Sequence, residues 1–183
     1  PDLIGPFARE HPGISIELAV ENRDAVVQRL ERGDDELAAM MLPPTHLPLE
    51  RWPFLENPLV VVAPRGHALA LRGKSARALT LAQLVREPRL AREAGSGTRL
   101  ATDQLLAQRG IEWAPRMALG SNEALKHAVA AGLGLAVLSR HTLGPDPAAA
   151  GLVELRVAGF PIRRMWHFVW RRSIVISNSM SRC

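Results

Sequence analysis

The alternation of apolar segments with helical segments is the feature that most restricts the fold of this chain. Residues 14–20 alternate apolar and polar side chains with the period of a half-buried strand, residues 26–30 have helical spacing, and residues 37–41 are apolar again. Asn22 or Asp24 can cap the helix. This strand, helix, strand order predicts two parallel strands joined by a right-handed crossover, the basic unit of an α/β fold.

The second half of the chain repeats this order. Strands are predicted at residues 89–92, 117–119 and 133–138, with helices at residues 98–109 and 124–131 between them. The last of these strands is apolar throughout, as is typical of a strand that is buried on both faces. A second α/β unit is therefore expected.

Three further segments have strand character. Residues 59–63 are the most strand-like run of the sequence, and residues 152–157 and 166–170 follow later. Residues 173–183 have no recognisable partner pattern, and we expect them to be a disordered tail. None of the apolar runs is long enough to span a membrane.

The composition is that of a globular protein, with 47% apolar and 22% charged residues. The net charge of +5 raises the possibility of nucleic-acid binding, but the basic residues are scattered, aromatic residues make up only 4% and tyrosine is absent. A solvated surface explains the charge better. The single cysteine, Cys183, excludes an internal disulfide framework.

A glycine-rich turn precedes the helix at residues 98–109. Gly95, Ser96, Gly97 and Thr98 supply accessible backbone N–H groups and two hydroxyls, and Arg99 adds a fork of cationic donors. Such a helix start attracts anions. A plain turn in which Ser96 or Thr98 caps the helix explains the same residues, and the loop has the spacing of neither a Walker A motif nor a dinucleotide fingerprint.

A second polar helix start follows the next predicted strand. Ser121 and Asn122 come after residues 117–119 just as Ser96 and Thr98 come after residues 89–92. Because the carboxyl ends of parallel strands meet at one edge of a sheet, these four side chains are expected to converge on a ligand. A capping role for Ser121 or Asn122 without ligand contact is the alternative.

Catalytic and metal sites are not predicted. The six histidines have no metal-ligand spacing, and the serines lie in no G-x-S-x-G motif. Glu93 could act as an acid or base, but an ion pair with the adjacent Arg92 is the commoner explanation. We therefore expect a non-enzymatic protein without a cofactor.

Three segments of the sequence together resemble one protein family. They are "NPLVVVAPRGHALA" at residues 57–70, "REAGSGTR" at residues 92–99 and "LGSNEALKHAVAAGLGLAVLSRH" at residues 119–141. The chain is similar to the effector-binding domain of LysR-type transcriptional regulators, and within that family to the regulators of carbon-fixation operons.

The resemblance implies an α/β fold of two Rossmann-like lobes, like the type II periplasmic binding proteins, with an effector in the cleft between them. Lobe I is expected at residues 1–63 and 163–172 and lobe II at residues 64–162, with crossovers near residues 64–67 and 161–165. The family also implies a DNA-binding segment and a first strand before this chain, and a last helix after it. At residues 35–39, "DELAA" stands where the family usually has "LDLAI", so a glutamate takes the place of the customary aspartate.

The resemblance also implies where the effector binds. The expected effector is a small anionic metabolite such as a sugar phosphate, a phosphoglycolate-like acid or NADPH. The expected site residues are Leu42, Pro43, Pro44, Ser96, Gly97, Thr98, Arg99, Ser121, Asn122 and Glu123.

The implied partners follow from the family. They are other copies of the chain, in a dimer or tetramer in the cytoplasm, and operator DNA and RNA polymerase through the longer protein; a membrane partner is not expected. Two alternatives share the fold: a solute-binding protein of a transporter, and an enzyme built on the same bilobal scaffold.

Overall fold

The computed structural model describes residues 4–71 and 77–172, which form one mixed sheet of seven strands with helices against it. The helices are α1 (Ile4–Glu10), α2 (Arg23–Arg32), α3 (Leu81–Leu84), α4 (Gly97–Gln108) and α5 (Asn122–Ala130). The strands are β1 (Ala38–Met41), β2 (Leu49–Pro64), β3 (Arg89–Arg92), β4 (Pro115–Leu119), β5 (Leu135–Ser139), β6 (Leu152–Leu155) and β7 (Ile162–Arg171). The sheet order is β1-β7-β2-β5-β3-β4, and β6 pairs with β2.

Helix α2 begins and ends where its sequence predicts. The Asn22 side chain accepts a hydrogen bond from the Ala25 backbone N–H at 3.1 Å, and Gly33 ends the helix in the left-handed conformation with φ of 78°. Val27 and Leu30 are the buried residues of the helix, and they pack against β1 and β7. The helix therefore covers one face of the sheet near β1.

The second predicted α/β unit is confirmed. Strand β3 lies between β4 and β5 and is parallel to both. Helix α4 connects β3 to β4, and α5 connects β4 to β5. The carboxyl ends of the three strands consequently open on one edge of the sheet.

The parallel strand pair predicted for the first half is wrong. Residues 14–20 form no strand, and Ile14, Leu18 and Val20 are 52%, 65% and 85% exposed. Strand β1 instead pairs with β7 in the antiparallel direction. Alternation shows that a segment could bury one face, but it does not supply the neighbouring strand, and β1 takes its neighbour from the other end of the chain.

Strand β2 connects the two halves of the molecule, of which one contains α2, β1 and β7 and the other contains α3–α5 and β3–β6. Its first part pairs with β7 from Leu49 to Leu59, and its last part, residues 59–64, pairs with β5 and β6. The predicted strands at residues 59–63 and 166–170 lie within β2 and β7, both of which are longer than predicted. The proposed lobe boundaries stay a prediction, since β2 runs through this region as one strand.

The core explains the continuous apolar run of β2. Val61 packs on the side of α4, whereas Val60 and Val62 pack on the side of α5. A strand covered on both faces needs apolar side chains at successive positions. Full burial of each such side chain contributes roughly 1.5–3 kcal/mol.

No helix within residues 4–71 and 77–172 is long and apolar enough to cross a membrane. The tail predicted at residues 173–183 lies outside the residues that the structure describes.

Candidate functional site

A cleft of about 260 Å³ lies at the edge of the sheet where β1, β3 and β5 end. Both halves of the chain contribute to it. Its polar lining consists of Glu21, Asn22, Arg23, Asn57, Arg92, Ser96, Thr98, Asn122, Ser139, His141 and Thr142. The rest of its lining consists of Val26, Ala39, Met40, Met41, Leu55, Gly97 and Trp166.

Helix α4 begins in the cleft with an uncapped turn. Ser96 is the N-cap residue and is only 4% exposed, yet its side chain makes no capping hydrogen bond. The first N–H groups of a helix have no partner inside the helix, so this turn presents donors that the Ser96 hydroxyl does not satisfy. The resulting partial positive charge favours an anion beside Ser96, Gly97 and Thr98.

Gly95 brings the two halves into contact at the edge of the cleft. Its carbonyl oxygen accepts a hydrogen bond from the Asp24 backbone N–H at 3.2 Å. Its φ of 86° is in the left-handed region, and a Cβ atom there would lie 3.2 Å from Asn22 Oδ1 and from the Asp24 side chain. The position therefore requires glycine, both for its backbone conformation and for this close approach.

Arg92 supplies a fixed cation to the cleft wall. Its side chain is 14% exposed, and Nη1 donates a hydrogen bond of 2.6 Å to Asn122 Oδ1. Nε and Nη2 donate to both carboxylate oxygens of Glu93 at 2.8 and 2.9 Å. This bidentate pair, together with Asn122 at the start of α5, fixes the direction of the guanidinium.

The carboxyl group of Glu93 is held ionised by this arrangement. Burial raises the pKa of Glu93, but hydrogen bonds from Arg92, a backbone hydrogen bond and a hydrogen bond with Asn22 lower the pKa by more. The net result is a pKa below the ordinary value. Arg92 and Glu93 thus form a charged pair beside the cleft at neutral pH.

Arg23 places a second cation in the cleft lining, next to the start of α4, where a Cβ atom at Gly97 would lie 3.8 Å from its side chain. Its Nε donates to the Leu42 carbonyl at 2.8 Å, and its Nη1 donates to Asp24 Oδ1 at 2.8 Å. Leu42 has φ of 56°, a conformation in which few non-glycine residues are found. This turn after β1 aims the Leu42 carbonyl at the arginine.

A buried polar group forms the floor of the cleft. Asn57 is 1% exposed, and its Oδ1 accepts a hydrogen bond of 2.6 Å from the Ser139 hydroxyl. Its Nδ2 donates to Met41 Sδ at 3.3 Å. The floor thus joins β2 to the ends of β1 and β5.

Four of the predicted site residues line this cleft together: Ser96, Gly97, Thr98 and Asn122. They come from the starts of α4 and α5, which do meet at one edge of the sheet. Their role in binding an effector stays a prediction.

The other predicted residues lie outside the cleft lining. Arg99 lines a neighbouring hollow, where its Nε lies 3.5 Å from Asp103 Oδ2. Ser121 caps α5, accepting from the Ala124 N–H at 3.1 Å, and Glu123 forms an ion pair of 2.8 Å with Lys126.

The turn after β1 also lies outside the lining, although it adjoins the cleft. Leu42 contacts the wall through its carbonyl oxygen, which binds Arg23. Pro44 is buried, and its carbonyl oxygen accepts a hydrogen bond from Arg51. Pro43 is half-buried between them.

Sequence reasoning missed several cleft residues, among them Arg23, Asn57, Ser139 and Trp166. One signal was available: Asn57 is a polar residue at the head of the most apolar run of the chain. The described residues contain no group of His, Cys, Asp and Glu side chains that could hold a metal ion.

Comparison with known families and curated proteins gives a consistent result. The family model described as "LysR substrate binding domain" matches residues 1–182. The HTH-type transcriptional activator CmpR of Synechocystis is 38% identical over 177 residues, which are 97% of this chain and 57% of CmpR. A RuBisCO operon transcriptional regulator of Allochromatium vinosum is 42% identical over 172 residues, which are 94% of this chain and 56% of that protein. The chain thus spans just over half the length of these relatives.

Solved structures show the same fold. The regulatory domain of Synechocystis CcmR in complex with 2-PG is 38% identical and superposes with a TM-score of 0.88, covering 97% of this chain and 84% of that one. The effector-binding domain of QuiR in complex with shikimate has a TM-score of 0.80, covering 97% and 83% of the two chains, at 18% identity, and so supports the fold alone.

These findings confirm the predicted fold, which is like the type II periplasmic binding proteins, and the predicted likeness to regulators of carbon-fixation operons. The relatives named above are transcription regulators by name, so they favour neither a transporter's solute-binding protein nor an enzyme. The chain belongs to the LysR substrate-binding-domain family.

Proposed function

We propose that this chain is the effector-sensing and oligomerising domain of a LysR-type transcription regulator, and that it binds a small anionic metabolite in the cleft without transforming it. The observation that carries the proposal is the uncapped start of α4, which opens into the same cleft as Arg92 and Arg23. Helix N-termini are well suited to a phosphate or carboxylate. The guanidinium groups of Arg92 and Arg23, although paired with Glu93 and Asp24, add positive charge to the same lining.

The size of the cleft limits the class of effector. A volume of about 260 Å³ is at or below the roughly 300–1,000 Å³ of pockets for drug-sized ligands. This favours a small acid over a dinucleotide such as NADPH. The CcmR domain, which is 38% identical, is described with 2-PG bound, and this supports 2-phosphoglycolate as the first candidate.

The proposed role of the whole protein follows from its relatives. A dimer or tetramer in the cytoplasm would bind operator DNA and engage RNA polymerase through segments of the longer protein. The role of this domain would be to sense the effector. Effector binding changes the outcome at the operator only if it favours one arrangement of the oligomer over another.

Thermal unfolding with 2-phosphoglycolate tests the proposal. At a hundredfold excess over the Kd, the ligand adds about 2.7 kcal/mol to the free energy of unfolding. For a domain of this size we expect a rise of about 5–10 °C in Tm. A wild-type Tm that does not respond to 2-phosphoglycolate or to a panel of small phosphorylated acids contradicts the proposal.

Three substitutions at two positions of α4 locate the site. Thr98→Val removes a hydroxyl from the cleft lining while keeping the shape of the side chain, and we expect it to lose most of the rise in Tm. Thr98→Ser is the matched control and keeps the rise. Arg99→Ala is expected to keep it as well, because Arg99 pairs with Asp103 outside the lining; loss of the rise in this variant would place Arg99 in the site after all.

A further inference from the structure

We propose that Asn57 is an effector-binding residue, whose carboxamide N–H donates to an effector oxygen other than those of the anionic group held by α4. The inference deepens the function proposed above and rests on it. It identifies the ligand as a molecule with two oxygen-bearing ends, of which a bare phosphate supplies only one.

The first argument is the unequal satisfaction of the Asn57 carboxamide. Its oxygen accepts a short hydrogen bond of 2.6 Å from the Ser139 hydroxyl, so the acceptor side of the amide has a strong partner. Its nitrogen, which carries two N–H groups, donates at 3.3 Å to the thioether sulfur of Met41. A thioether is a weak acceptor, so the donor side of this amide lacks a partner of matching strength.

The second argument is burial. Asn57 is 1% exposed, and a buried amide that lacks a good acceptor destabilises a protein relative to an apolar side chain of the same shape. Leucine would fill the same space beside Met41. An asparagine here, facing the cleft at the head of an apolar run, is explained when an oxygen of the ligand completes its hydrogen bonds.

The third argument is the chemistry of the stand-in partner. Met41 lines the cleft as well as packing in the core, and an unbranched thioether side chain adapts to a new neighbour more readily than a branched one. An effector oxygen can therefore displace the sulfur from Nδ2 without moving the backbone. The Ser139 hydroxyl keeps the amide oxygen in place, so the N–H groups stay directed towards the ligand.

The position of Asn57 would also link effector binding to the arrangement of the two halves. Asn57 lies on β2, and its two partners lie at the ends of β1 and β5, one in each half of the chain. An effector held at one end by the start of α4 and at the other by Asn57 would contact both halves at once. Its binding energy would then depend on how the halves are arranged.

The experiment compares two ligands by NMR titration of the whole domain: 2-phosphoglycolate, and methyl phosphate, which lacks the second oxygen-bearing group. In Asn57→Leu we expect the affinity for 2-phosphoglycolate to fall by about tenfold or more, as for the loss of a hydrogen bond to a charged group. The affinity for methyl phosphate is expected to stay within about twofold of wild type, since the α4 end of the site is intact.

Two controls separate ligand contact from folding. Ser139→Ala removes the partner of the amide oxygen but no donor to the ligand, and we expect a smaller loss than in Asn57→Leu. The double variant Asn57→Leu with Ser139→Ala leaves no unpaired hydroxyl at the floor, so it keeps the test valid if Asn57→Leu alone unfolds. Melting without ligand establishes that each variant is folded.

The outcomes distinguish this inference from the proposed function. If wild type binds 2-phosphoglycolate and the Asn57 variants bind it equally well, the inference is wrong and the proposed function stands. Equal losses for both ligands also overturn the inference, because Asn57 would then act only through the shape of the cleft. If wild type binds neither ligand, both proposals fall.

Discussion

Glu93 illustrates how a single carboxyl group near the cleft couples stability to pH. Burial raises its pKa, whereas the hydrogen bonds from Arg92 and with Asn22 lower it by more. Because the net pKa of the folded state lies below the ordinary value of 4.5, the ionised group stabilises the folded state at higher pH. That contribution is lost as the pH falls through the pKa of the folded state.

We therefore expect Glu93→Gln to lower the free energy of unfolding by about 1 kcal/mol at pH 7, as for a partly exposed ion pair. The difference from wild type should shrink as the pH falls through the lowered pKa of Glu93 in the folded state, because the wild-type carboxyl group then becomes protonated as well. Urea unfolding at pH 7 and at the lowest pH at which the wild-type domain stays folded measures both values. Glu112→Gln, at an exposed position, is the control; a difference for Glu93→Gln that is the same at both pH values contradicts the argument.

For single residues, the sequence predicts contacts between residues that are close together in the chain. Asn22 and Ser121 cap α2 and α5 as expected, because a cap needs only the N–H three residues ahead. The partners of Asn57 are 16 and 82 positions away, so no local pattern reveals its role. Arg99 likewise looks free in the sequence, and only the fold shows that it turns towards Asp103.

At the scale of elements, the approach of β5 to the segment just before β3 depends on one glycine. A Cβ atom at Gly134 would lie 2.4 Å from the carbonyl oxygen of Pro88, which also accepts the Leu135 N–H at 2.8 Å. The carbonyl oxygen of Pro88 is a backbone atom, so it cannot move aside as the end of a flexible side chain can. Gly134→Ala should therefore push β5 away from the segment that leads into β3.

We expect Gly134→Ala to cost about 3 kcal/mol of the free energy of unfolding, the upper range for overpacking a core. Chemical denaturation measures it. Gly120→Ala is the matched control because a Cβ atom there meets nothing within 4 Å, and it should unfold within about 0.5 kcal/mol of wild type. Equal stability of the two variants would show that β5 can shift without loss.

Elements of the second α/β unit were predicted well, whereas residues 14–20 form no strand despite their clear alternation, and long strands with distant partners were predicted only in part. The predicted strand at residues 89–92 is β3 without a change of bounds, and the polar start of α4 follows it. Strand β2 is 16 residues long, but only its apolar end was predicted, because Pro53 and Pro58 argue against a strand when read locally. Its pairing with β7 overrides that tendency, with a register shift between Pro53 and Leu55.

At the scale of the whole molecule, the cleft exists because distant parts of the chain pair. Strands β2 and β7 run antiparallel between the two halves, and the turn at Gly95 contacts the start of α2. The resemblance to a family predicted such a cleft, but periodicity and composition do not contain the pairing of β2 with β7. The same pairing makes the two halves one continuous sheet, so a change in their arrangement must pass through β2 and β7.

A ligand held by both halves should narrow the range of arrangements that the domain samples. Spin labels on exposed positions of α2 and α4, at Gln28 and Gln104, report the distance between the halves after Cys183→Ser removes the native thiol. With saturating 2-phosphoglycolate we expect a narrower distance distribution, with a shift of its mean on the order of 1–2 Å, as for helix shifts in other switches. The labelled Thr98→Val variant should keep the broad distribution at the same ligand concentration, because it binds the ligand weakly. Saturation of the wild-type domain without any change in the distribution would mean that the effector does not distinguish between arrangements, and a ligand with equal affinity for all of them cannot transmit a signal.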